Sequence, residues 1–178
     1  MLEELSPLIA ATAQWLTSAY PASGGALGSV LCEMQARQAV TAAAWLRYPT
    51  TMDAALVRMS GPGGSARLDW VTSADGAVGA DPEVSPWRTW VDEVVASWAA
   101  CLLTDPGLAG RAVAALTAQA EAPYPTGTPV EFRRLVAPDE RDRASAALLR
   151  HPDLLAPVAA LHRAQLLDRL DSGEALTA

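Results

Sequence analysis

The sequence predicts a mostly α fold: a helical bundle of four longer helices with an inserted β-hairpin at about 54–72 and a C-terminal helical pair. Three observations lead there. Long segments repeat apolar residues every three or four positions, and serine, proline and glycine punctuate those segments. One stretch between the second and third segments switches instead to period two. A length of 178 residues suits one domain or a domain with a small appendage. At that size folding buries roughly 70% of the surface of the unfolded chain, so neither a metal nor a disulfide is required for stability.

The first helix is predicted to start at Ser6, which can cap it, with Pro7 at the first helical position. Leu5, Leu8, Ile9, Thr12, Trp15, Leu16 and Ala19 then keep helical spacing until Pro21 and Ser23-Gly24-Gly25 end it. A second helix is read from about Ala26 to Tyr48. Its stripe is Leu27, Leu31, Met34, Gln38, Thr41, Trp45 and Tyr48, widened by Val30, with Glu33 and Arg37 paired on the exposed face. The short connection at 21–25 makes these two helices antiparallel neighbours.

The alternation follows. Ala55, Val57 and Met59 alternate with Leu56, Arg58 and Ser60, and Leu68, Trp70 and Thr72 alternate with Arg67, Asp69 and Val71. Gly61-Pro62-Gly63-Gly64 between them reads as a hairpin turn, with a mobile loop as the alternative. Ser85-Pro86 opens the third long helix, on which Trp87, Val91, Val94, Trp98 and Cys101 form a regular stripe broadened by Trp90, Val95 and Leu102. Thr104-Asp105-Pro106 ends it and caps the fourth helix, which ends near Glu121.

Pro123, Pro125, Gly127 and Pro129 make a stiff connector. The expected division is therefore a bundle with its hairpin over 1–122, a connector at 123–129 and a C-terminal helical subdomain packed on the bundle over 130–178. Within that last part, a short helix is expected at Val130–Val136 and another opening at Pro138. A final helix is read from about Asp153 to Leu170.

Composition narrows the function. Hydrophobic residues make up 51% and charged ones 19%, too apolar for disorder and too interrupted for a membrane protein. Glu3 and Glu4 stand where a secretory leader carries positive charge, and Cys32 and Cys101 have no metal-site spacing, so a cytoplasmic location is expected. The net charge of −7 works against nucleic acid and anionic membrane surfaces as partners.

Catalytic patterns are missing. The glycine-rich turn lacks the lysine of a phosphate-binding loop, since every one of the 13 basic residues is arginine. No G-x-S-x-G elbow occurs. His151 and His162, the two histidines, have no HExxH or HxxxH context, and Pro152 separates them structurally. Adjacent acids such as Asp92-Glu93 and Asp139-Glu140 diverge on a helix. No metal or cofactor is therefore expected, and the sequence points away from an enzyme.

Two groups of residues are left as candidates. Arg133 and Arg134 belong to the one local basic concentration, suited to a phosphate or an acidic partner, although Glu131, Asp139, Glu140 and Asp142 interleave with it. Six tryptophans against one phenylalanine form a biased aromatic set. Trp15, Trp45 and Trp98 fall in helical stripes and read as core. Trp70, Trp87 and Trp90, beside the loop-rich region, are the candidates for a pocket or an interface. The expected function is a non-enzymatic interaction protein, an adaptor, assembly subunit or accessory factor, with a protein partner or self-association. Binding of a small apolar ligand, with or without motif-less catalysis, is the alternative, and a DNA-binding regulator the third.

Overall fold

The computed structural model describes residues 2–20, 24–47, 90–118, 130–147, 149 and 151–175. Those residues form eight helices and no strand. In chain order they are α1 (Leu2–Ala19), α2 (Gly25–Arg47), α3 (Trp90–Thr104), α4 (Pro106–Ala118), α5 (Arg133–Val136), α6 (Glu140–Ser145), α7 (Pro152–Leu161) and α8 (Arg163–Ala175).

The expectation of a mostly α fold holds, and the β-hairpin expected within it at 54–72 is corrected: the described residues are all-α. The physical reason is that the core closes helix on helix, and a lone two-stranded hairpin has little stability of its own. Positions 54–72 themselves, like the connector at 123–129, lie outside the described residues.

Helix α3 is the centre. Every residue from Val94 to Leu103 is buried, so the helix has no solvent face over nearly three turns. It packs against α1, α2, α4, α7 and α8. Ser97, which the periodicity places off the apolar stripe, is also fully buried, because neighbours close on that side too.

Helix α2 reaches the centre through alanines. Ala36, Ala39, Ala42, Ala43 and Ala44 are all fully buried, as are Ala99 and Ala100 on α3 and Ala109 and Ala112 on α4. Side chains of one carbon let helix axes approach towards the short end of the usual 8–10 Å spacing. The larger residues Leu5, Leu8, Leu16, Leu102, Leu103, Leu135, Leu149, Leu155 and Leu166 fill the spaces around these close contacts.

Local rules account for the helix ends. Gly25 adopts φ of +80°, a conformation only glycine takes freely, and this lets the chain turn from α1 into α2. Asp105 Oδ1 accepts from the Leu108 N–H at 3.0 Å, and Pro106 takes the first position of α4, so the chain bends by 120° between α3 and α4. The first helix begins four residues before the Ser6 signal. Burial of Leu5 one turn ahead of Leu8 extends the apolar stripe upstream and outweighs the bond that Pro7 cannot make.

The last predicted helix is two. His162 breaks it, and the two parts serve different neighbours: α7 packs mainly along α3, while α8 also reaches α4. Cys101 reaches Ala159 and Asp105 faces Arg163, and both links span 58 residues. No single helix among the described residues is long and apolar enough to cross a membrane.

Candidate functional site

The site is built on α2, whose sides do different work. One side enters the core. A second carries Cys32, Gln35 and Gln38, spaced three apart, and these grip the main chain of α5 and α6. Gln35 Nε2 donates to the Arg134 carbonyl at 3.2 Å, and Gln38 Oε1 accepts from the Leu135 N–H at 3.1 Å. That carbonyl and that N–H belong to one peptide unit, so two amides hold it from both edges. The Cys32 thiol donates to the Ser145 carbonyl at the end of α6.

The α5–α6 region is tied together internally. Arg134 Nη1 contacts Asp142 Oδ1 at 2.7 Å, with the aspartate side chain almost fully buried. Asp142 Oδ2 accepts from the Asp139 N–H at 3.2 Å, and the Asp142 N–H donates to Asp139 Oδ1 at 2.7 Å, a reciprocal capping box that starts α6. The Asp139 carboxyl is held below the ordinary range chiefly by that Asp142 N–H, with Arg133 and Arg134 adding smaller contributions. Removing Arg134 would leave the buried Asp142 carboxylate without its counter-ion, at a cost below the about 3–5 kcal/mol of a fully buried pair because the Arg134 side chain is 30% exposed.

The predicted arginine pair is therefore divided. Arg134 is committed to Asp142, and Arg133, one position away, is turned to solvent. They do not converge on a common anion. Trp70 and Trp87 lie outside the described residues, and Trp90 opens α3 with its side chain outside them. Trp45 and Trp98 are buried as their spacing implies, whereas Trp15 is 49% exposed on α1.

Both cysteines are structural. Cys101 Sγ donates to the Ala159 carbonyl at 2.9 Å in the last turn of α7, as Cys32 does at the end of α6. Each thiol thus serves a helix C-terminal carbonyl, a group that has no partner within its own helix. Burial pushes the Cys101 thiol up, against an opposing effect of Arg163, so it stays protonated and unreactive at neutral pH. The described residues contain no group of three His, Cys, Asp or Glu able to hold a metal ion. His151 stands exposed at the N-cap of α7, where its carbonyl accepts from Leu154 and Leu155, and His162 sits at the α7–α8 break.

The third side of α2 carries residues that periodicity places in the buried stripe but the fold leaves in water. Leu27, Val30 and Met34 are exposed by 65%, 51% and 42%. Their spacing of three and then four puts them on one line of the helix, and Arg37 and Thr41 continue it at the same spacing. The Glu33–Arg37 pair, at 2.7 Å, flanks this line. No family model, curated protein or solved structure matches this chain.

Proposed function

We propose that this chain is a non-enzymatic helical protein that works through protein–protein contacts, with the Leu27–Val30–Met34 line of α2 as its contact surface. The carrying observation is that line itself. Three large apolar side chains at seam spacing stand in water on a helix whose other sides enter the core and hold α5 and α6. Covering them would remove apolar surface worth on the order of 25 cal/mol per Å². The thiols serve helix carbonyls and Arg134 serves Asp142, so the most reactive groups of the described residues are already used in holding the fold. A helix presenting residues at i, i+3 and i+7 suits a partner helix or groove lined with aliphatic side chains.

Oxidative footprinting tests the location. Met34 should be oxidised readily in the isolated chain and be protected several-fold in the assembled form. Equal oxidation in both states would remove this line from the contact.

A further inference from the structure

We propose that residues 130–147 form a strap that leaves α2 as one unit while the helices around α3 remain folded. Its two helices have four and six residues, far short of what stands alone in water. They persist because they are docked. Internal cohesion comes from the Arg134–Asp142 contact and the Asp139–Asp142 capping box, both contained within the strap, so these bonds travel with it.

The attachment to α2, and of α5 to α4 beside it, is of another kind. Phe132, Leu135 and Ala146 are buried beneath the strap, and the polar grips from Gln35, Gln38 and Cys32 all fall on its main chain. Gln35 is fully buried, and its Oε1 finds no donor among the described residues, so closure leaves that acceptor unmet. Opening returns it to water. Phe132 and Leu135 sit at the edge of the common core, while α3 itself is closed in by α1, α2, α4, α7 and α8 and has none of the three grips. Cooperative units of this sort, smaller than the whole molecule, open at lower free energy than global unfolding. Strap release also bares the Cys32–Gln35–Gln38 row of α2, next to the exposed Leu27–Val30–Met34 line. The two together make a wider face than the closed molecule shows.

The two thiols report the two levels of opening, since Cys32 lies under the strap and Cys101 lies in the core. Iodoacetamide labelling of the full chain, resolved by peptide mass and normalised to each site's rate in the unfolded chain, separates them. Cys32 should label at least about tenfold faster than Cys101, with a rate nearly independent of low urea concentrations. Gln38→Ala should speed Cys32 several-fold and leave Cys101 unchanged. Cys32 labelling no faster than Cys101, with the same urea dependence, would overturn the strap, as would a Gln38→Ala effect equal at both sites. The test involves no partner, so it stands or falls separately from the contact proposed for α2.

Discussion

Asp139 shows how one residue combines a local rule with a measurable consequence. Its carboxylate accepts the Asp142 N–H at 2.7 Å and starts α6. That bond lowers the folded-state pKa. A depressed carboxylate stabilises the fold above its unfolded value of about 3.9, and the contribution disappears as pH falls through the lower folded value. Asn also caps helices, so Asp139→Asn removes the charge while keeping the geometry. The wild-type chain should exceed this variant in urea midpoint at pH 7, and the two should converge as pH falls through the lowered folded-state value. A gap that does not change with pH would show that the charge contributes nothing. The Asp139-x-x-Asp142 spacing was available in the sequence as a capping box. The part Arg134 plays was not, because a guanidinium turned onto a buried aspartate and one turned to solvent look alike in one dimension.

At the scale of elements, helices were legible where their stripes were long, and end signals held at some boundaries but not at Ser6-Pro7, which lies inside α1. Asp105-Pro106 and Gly25 mark real boundaries for reasons of backbone geometry. The His162 break was not legible, because Leu155, Ala159, Leu166 and Leu170 keep an apolar rhythm across it while their packing partners change. Periodicity also assigned Leu27 and Met34 to the same stripe as Trp45. The structure buries Trp45 and exposes the other two, since neighbours cover only one side of this end of the helix, where Leu31, Cys32, Gln35 and Ala36 are buried. The alanines prove structural where α2, α3 and α4 meet. Ala43→Leu places three extra carbons at a fully buried contact and should cost about 1–3 kcal/mol in urea unfolding. A neutral result would mean that the helices there are not closely apposed.

The whole molecule has a closed centre, and its chemistry-bearing side chains are largely turned to structural use. Ion pairs between α8 and its neighbours, Arg111–Asp171 and Arg163–Asp105, are long at 3.8 Å and exposed, so they contribute little beside the burial of Leu166 and Leu170. What distinguishes this surface is the apolar line on α2, and the central claim is that another protein surface covers it. Native mass spectrometry of the chain isolated gently from its own host, beside the Leu27→Glu/Met34→Glu variant, tests that claim most directly. A mass above that of one chain is expected for the wild type, as a multiple of the chain or the chain with another protein. One chain alone is expected for the variant, with unchanged helical content by circular dichroism. A monomer in both, or an assembly that survives the double substitution, would contradict the claim.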